Sequence, residues 1–491
     1  MQRTITLLAA LLLTPLAALP AADAPMPKPN ILLITADDLG LQLSCYGDKH
    51  IQTPHIDALA ASGLRFETAY IAQSSCSPSR ASIFTGMFPH SHGHIGLAKP
   101  KNPPLHEPLR SQTIPALLKS AGYRTGIIGK LHVNPATAFP FDFKVNNDQI
   151  GEGGSRNAKG VARQTAQFLA KDPKRPFFLM VSNIDPHRVF IPQLDGLPKK
   201  PLVKGDVPEW PFQQVRDDQI LTDAANYYNC VRRLDACVGL VLAELKKAGK
   251  EQNTLVIFLS DNGPPLARGK TTCYEAGLRT PFLLRWPGVT KTGLVSGAFV
   301  SSVDILPTIL DAVGLPVPAQ VQGRSLRGVA GGNNTGWRTT LAGEFHQHGE
   351  SPFFPRRSLR DSRYHVIHNL LAGKLTLSIA VDGDTAPTVA AGDAYKDTPA
   401  QQAMARAANP PEWELYDLET DPAEFQNLAG DPAHAATLKR MQGLLHDWRK
   451  ETADPFLDPG LLAKRHREVN TASRAPESEA PSKKKGKKSS K

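Results

Sequence analysis

The chain has 491 residues and carries 57 Lys and Arg against 46 Asp and Glu, a formal net charge of +11. That length exceeds what one hydrophobic core supports, so two domains are expected. A hydrophobic content of 41% with 21% charge excludes a disordered or membrane-embedded chain, and the basic excess alone admits acidic glycan or nucleic acid as partner.

Residues 1–24 read as an export signal. Arg3 gives a positive start, Leu7 to Leu19 is apolar apart from Thr14 and Pro15, and Ala22-Asp-Ala24 offers small residues for cleavage. The run is too short for a bilayer span, and no Cys directly follows it for lipidation. No transmembrane anchor is expected, and the mature chain is expected in the periplasm or outside the cell.

Short aliphatic runs then alternate with helical patterns. Strands are expected at Asn30–Thr35, Arg124–Ile128, Phe177–Ser182 and Thr254–Leu259. Helices are expected at His55–Gly63, Thr113–Gly122 and Thr222–Gly249. The stretch from Arg188 to Gln219 is Pro-rich and reads as a rim loop. The alternation implies an α/β layer architecture, a mostly parallel sheet flanked by helices, over residues 25–335. A Gly- and Asn-rich stretch at 328–336 leads to a smaller α+β domain, 336–460, with a late helix at Pro432–Lys450. Residues 461–491 are expected to be a basic disordered tail. From Ala475 onward they hold six Lys, no aromatic and no branched aliphatic residue.

Five cysteines in an exported chain point to at least one free thiol. Cys230 and Cys237 share one expected helix, about 10 Å apart along its axis, too far for a mutual disulfide. No zinc spacing is present.

The residues just past the four strands carry chemistry. They are Asp37 and Asp38, then Lys130 and His132, then Asp185-Pro-His187-Arg188, then Asp261 and Asn262. Ligands of open α/β sheets bind outside the carboxyl ends of the strands. Hard oxygen donors without a soft ligand suit calcium or magnesium. Lys130 adds charge for an oxyanion, and His132 and His187 are candidate acid or base groups. Cys76 lies at an expected helix N-terminus, with Pro78 in the first turn and Arg80 beside it. That position favours a lowered thiol pKa; the competing reading is a buried structural Cys.

Cys76-x-Pro78-x-Arg80, continued by Ala-Ser-Ile-Phe-Thr-Gly86, resembles the signature of the sulfatase family. In that family a formylglycine-generating maturation enzyme recognises C-x-P-x-R and oxidises the Cys. Asp37-Asp38, Gly129-Lys130-x-His132, His187, Asp261-Asn262 and Lys270 stand in the family's order. Val303–Leu310 and Trp413–Pro422 extend the similarity over most of the mature chain. The segments Ser75–Ser82, Gly126–Val133, Phe139–Phe143, Asp185–Arg188, Asp261–Gly263 and His368-Asn369 are most similar to the heparan N-sulfatase, or sulfamidase, branch. Lys270 departs from that branch, which carries Arg there, and lacks the bidentate fork.

The resemblance implies an alkaline-phosphatase-like fold, a sulfated glycan as substrate, and no nucleic acid. It implies one calcium ion held by Asp37, Asp38, Asp261, Asn262 and a formylglycine formed from Cys76. A hydrate oxygen of that residue attacks sulfur. His187 protonates the leaving group, and His132 helps to regenerate the aldehyde. Arg80 and Lys130 orient the formylglycine; Lys130 and Lys270 hold sulfate oxygens. Arg188 on the rim, with Glu344, His346, His348 and Arg357 from the smaller domain, are candidate sugar contacts. The substrate implied is N-sulfoglucosamine of heparan-sulfate-like glycans. An O-sulfatase on another polysaccharide, a phosphatase or phosphodiesterase of the same superfamily, and an unmatured glycan-binding protein are the competing readings. Oligomeric state is not encoded in any motif.

Overall fold

A computed structural model describes residues 28–470. The expected export signal and residues 471–491 of the expected tail lie outside the described residues. In chain order the strands are β1 Asn30–Ala36, β2 Leu64–Phe66, β3 Ala69–Tyr70, β4 Arg124–Gly129, β5 Phe143–Val145, β6 Phe177–Ser182 and β7 Thr254–Ser260. They continue with β8 Phe282–Arg285, β9 Leu294–Ser296, β10 Val300–Ser301, β11 Leu341–Phe345, β12 Arg356–Arg360, β13 Tyr364–Asn369 and β14 Trp413–Asp417.

The large sheet has the order β5-β4-β6-β1-β7-β8-β2-β9. It is parallel except where β8 pairs antiparallel with β7 and β2. Its central strands are buried on both faces because their side chains alternate between two cores. Leu32 and Ile34 of β1, with Val256 and Phe258 of β7, face one core. Ile31 and Leu33, with Leu255, Ile257 and Leu259, face the other. The long helix Asp218–Lys247 covers the first face through Tyr227, Val231, Leu234 and Val238. The second face is covered by Ile83 and Phe84 of the helix Cys76–Thr85 and by the helix Ile305–Ala312. A period of two along each strand, with apolar cover on both sides, is why these segments read as unbroken aliphatic runs.

The smaller sheet is antiparallel in the order β11-β12-β13-β14. One face packs Leu359, Val366 and Leu415 against Met441 and Leu445 of the helix Ala435–Glu451. The other packs Leu341, Phe345, Ile367 and Tyr416 against Tyr70 and Leu278 of the larger unit. The Glu344 amide donates to the Ala72 carbonyl at 2.9 Å, so β11 runs alongside the segment that leads into the Cys76 helix. Below this junction lies a buried ionic network. His90 Nδ1 meets Glu344 at 2.6 Å, Arg357 lies 3.4 Å from Glu344, and Arg357 and Arg449 reach Asp454 at 2.9 and 2.7 Å.

One expectation needs correction. The segment expected to be disordered from residue 461 begins with a helix, Pro459–Asn470. Leu462 and Val469 pack near Phe353, and Asn470 exchanges hydrogen bonds of 2.8 and 3.0 Å with the Phe353 backbone. Apolar side chains persist to Val469, so the composition that prevents folding starts later than 461. The stretch after Arg188 is a loop until Asp218, as expected, and it buries Phe190, Trp210, Phe212 and Val215. All five cysteines are free thiols, and Cys230 and Cys237 are both buried.

Burial alone would raise the Asp454 carboxyl, but its neighbours, Arg357 foremost and Arg449 with it, outweigh burial and hold it well below its ordinary 3.8. Its contribution to stability is full above that ordinary value and is lost as pH falls through the folded value. Asp454→Asn is expected to lower the unfolding free energy by about 3 kcal/mol at neutral pH, because it leaves two buried guanidinium groups short of charge. In urea titrations the gap to the parent chain is expected to close only below about pH 4.

Candidate active site

β4, β6, β1 and β7 are neighbours and all parallel, so their carboxyl ends open on one edge. The four groups of residues singled out past those ends therefore meet in one crevice. Asp37, Asp38, Asp261 and Asn262 are fully buried there. One side-chain atom each from Asp37, Asp38, Asp261 and Cys76 lie within 4.8 Å of one another. Cys76 Sγ is 3.5 Å from Asp37 and 4.0 Å from Asp38. Asn262 spends its amide nitrogen on Asp38 at 2.6 Å and on the Gly263 carbonyl at 2.8 Å. Its Oδ1 is buried without a partner among the described residues. Three carboxylates and an orphaned amide oxygen form a donor set fit for a hard divalent cation.

The backbone is bent to present these groups. Asp38 has φ 70° and His132 φ 54°, both in the left-handed region that non-glycine residues seldom adopt. Gly129 ends β4 at φ 99°, where a Cβ would strike the Ser182 carbonyl at 2.1 Å. Only glycine lets the chain turn there and deliver Lys130.

Cations surround the carboxylates. Arg80 Nε donates to Asp261 at 2.8 Å, its Nη1 to Ser182 Oγ at 2.7 Å and to the Lys130 carbonyl at 3.2 Å, and its Nη2 lies 3.6 Å from Asp37. Lys130 Nζ meets Asp37 at 2.5 Å. Lys270 Nζ lies 3.0 Å from Asp38 and 3.0 Å from Asp382. Burial would raise Asp37, but Lys130 and Arg80 hold it well below the usual carboxylate range. Asp261 is pushed up to about 6, by burial first and by Asp37 and Asp38 against the pull of Arg80. Burial favours a neutral Lys270, and Asp38 and Asp382 nevertheless keep it protonated.

Three imidazoles line the opening. His187 Nε2 is 3.8 Å from Asp38. His132 is lowered to about 3 by burial and by Lys130. His348 is lowered to about 3 by burial and by Lys270, and its Nδ1 lies 2.9 Å from Ser75 Oγ. His132 and His348 are thus neutral rings at neutral pH.

Cys76 is the first residue of the helix Cys76–Thr85 and only 1% exposed. The expectation of a lowered thiol pKa is overturned. Burial pushes the thiol well up, Asp37 and Asp261 add to it, and Lys130 and Lys270 do not compensate. Desolvation exceeds what a helix terminus supplies.

Outside the crevice lies a cavity of about 580 Å³ whose walls include Lys99, Thr271, His348, Arg356 and Asp382. Of the expected sugar contacts, His348 is there. His346 and Arg357 are not: both are fully buried in the network around Glu344 and Asp454, where His346 Nε2 lies 3.2 Å from Glu344 and Arg357 Nε 2.9 Å from Asp454. Arg188 lies over Phe190 and holds Asp223 at 2.6 Å, while its Nε and Nη2 have no partner among the described residues. Sequence reasoning missed Ser182 and Asp382. Asp382 sits in Val381-Asp-Gly-Asp-Thr385, a run that signals only a turn.

The sulfatase family profile matches residues 29–315, more than half of the chain. The chain belongs to the sulfatase family. A further profile, N-sulphoglucosamine sulphohydrolase C-terminal, matches residues 269–378 of this sulfatase. Human N-sulphoglucosamine sulphohydrolase is 37% identical over 471 residues, spanning 87% of this chain and 91% of its own. An ulvan-active sulfatase of Formosa agariphila is 28% identical, spanning 87% and 81%. A solved structure in complex with its substrate, D-glucosamine-2-N,6-O-disulfate, matches with a TM-score of 0.66 at 23% identity over 87% of this chain and 98% of its own. That likeness carries the fold. This sulfatase is accordingly a hydrolase, and no helix among its described residues is long and apolar enough to cross a membrane.

Arg80→Lys keeps the charge but cannot span Asp261, Ser182 and the Lys130 carbonyl at once. Sulfate release is expected to fall about a hundredfold in kcat/KM. The circular dichroism spectrum is expected to stay that of a folded chain.

Proposed function

We propose that this sulfatase removes sulfate from a sulfated saccharide, N-sulfoglucosamine of heparan-sulfate-like glycans foremost, with one calcium ion and a formylglycine made from Cys76. The observation that carries the reading is Cys76 Sγ set 3.5 Å from Asp37 inside a buried, oxygen-lined crevice ringed by Arg80, Lys130 and Lys270. Asp37, Asp38, Asp261 and Asn262 would hold the ion, and the orphaned Asn262 oxygen supports that assignment. When bound and matured, these two groups supply a polarised sulfate oxygen and an oxygen nucleophile.

The chain's own residues do the rest. Lys130 and Lys270 neutralise the sulfate oxygens as charge builds on them, a preorganised electrostatic role. Arg80 fixes Asp37 and Asp261 so that the donor set does not relax. His187, on the open side of Asp38, gives a proton to the nitrogen or oxygen that leaves sulfur. His132, a neutral imidazole beside Lys130, can take a proton when sulfate departs. The human N-sulphoglucosamine sulphohydrolase relative supports the N-sulfate reading. Lys270 and the ulvan-active relative favour a second one, an O-sulfatase on another polysaccharide. Export through residues 1–24 and recognition by a formylglycine-generating enzyme belong to the same proposal.

In protein from its native host, the Cys76 peptide is expected to be about 18 Da lighter than its unmodified form. Cys76→Ala is expected to lose about ten-thousandfold or more of the turnover. Chelation of calcium is expected to abolish sulfate release, and added calcium to restore it. Faster release from N-sulfoglucosamine than from 6-O-sulfated N-acetylglucosamine is the expected result; the reverse order establishes the O-sulfatase reading. An unmodified, fully active thiol form overturns both.

A further inference from the structure

We infer that Asp382 is the specificity-determining carboxylate of this sulfatase, receiving the nitrogen of an N-sulfated amino sugar and the ammonium group left after desulfation. The inference rests on the proposed N-sulfatase activity and names the residue that selects for it.

Asp382 comes from the smaller domain, between β13 and the helix Ala386–Ala390, and reaches back to the crevice. One of its carboxylate oxygens, one of Asp38 and a ring nitrogen of His187 lie within 4.8 Å of one another. It therefore stands on the side where His187 meets the leaving group. Its hydrogen-bond partner among the described residues is Lys270, at Oδ2, and 29% of its side chain is exposed. It also forms part of the wall of the 580 Å³ cavity.

Neighbouring hydrogen bonds fix the position. Asp382 has φ 49°, and Asp384, two residues on, is buried. The Asp384 carboxylate accepts from the Ala267 amide at 2.7 Å, from Gln213 Nε2 at 2.7 Å and from the Ala386 amide at 3.2 Å. The clamp on Ala267 ties the turn to the segment that carries Lys270.

The chemistry separates two substrate classes. When an N–S bond breaks, sulfur bonds to the attacking oxygen and the electron pair stays on nitrogen. Nitrogen takes a proton, and the free alkyl amine is basic enough to exist as ammonium in water. When an O–S bond breaks, the protonated leaving group is a neutral alcohol. A fixed carboxylate forms a hydrogen-bonded ion pair with the first and only an ion–neutral hydrogen bond with the second. Before cleavage, the sulfamate N–H is a donor to the same carboxylate, where an ester oxygen has none.

The test uses the full-length, matured, calcium-loaded enzyme and the variants Asp382→Asn and Asp382→Ala. Both substrates are expected to lose kcat/KM through weakened support of Lys270. The loss on N-sulfoglucosamine is expected to exceed that on 6-O-sulfated N-acetylglucosamine by about tenfold or more. Calorimetry gives a second readout: glucosamine is expected to bind Asp382→Asn about tenfold more weakly than the parent, and N-acetylglucosamine about equally to both. Equal losses on the two substrates would reduce Asp382 to a positioning residue for Lys270 and overturn the inference, leaving the function intact. A parent enzyme that does not desulfate N-sulfoglucosamine overturns the N-sulfate reading and this inference with it.

Discussion

Three carboxylates within a few ångströms of each other, out of water, set the terms for everything around them. Asp37, Asp38 and Asp261 repel one another in a medium that screens poorly. Arg80, Lys130 and Lys270 are the response, each placed against a particular oxygen rather than at the surface. The sheet exists at this point to hold that balance: four adjacent parallel strands end together and supply all three acids and one of the lysines. A cluster so arranged sets negative oxygens fit for a divalent cation directly beside positive groups fit for an anionic ester, in a medium that screens neither well.

The smaller sheet is not a separate appendage. Its first strand lies beside the segment before Cys76, and its Glu344 engages both that backbone and His90. The loop after β13 brings Asp382 to Lys270. The large sheet supplies the crevice, while the C-terminal part of the chain contributes to the cavity wall through His348 and Asp382. Ligand selectivity can thus diverge by changes in the second unit without disturbing the acids of the first, as is general for sites built on loops carried by a rigid sheet.

Much of this was legible in the residues. The four aliphatic strands were found because doubly covered parallel strands leave no polar face to confuse the reading, and the polar residues just past each strand end pointed to one edge. β12 was not legible. Arg-Arg-Ser-Leu-Arg looks like surface, yet every residue of Arg356–Arg360 is buried, because Arg357 and Arg360 find acids that lie far away in sequence and Arg356 lies over Phe345 and Phe354. The same blindness put Arg357 at the substrate. Asp382 escaped notice for the opposite reason: its local run describes only a turn, and its partner Lys270 is 112 positions away. The Cys76 pKa was misjudged because a helix N-terminus is a local signal, whereas the depth of the thiol is set by the whole fold.

The depth of Cys76 also imposes an order of events. A side chain 1% exposed cannot be offered by the finished protein to another enzyme's catalytic groove. Any catalysed oxidation of that thiol has to occur while the strands are still apart, so chain closure and modification run as competing clocks. Molecules that close first would be sealed with an inert thiol, and no later supply of the modifying enzyme would rescue them short of unfolding.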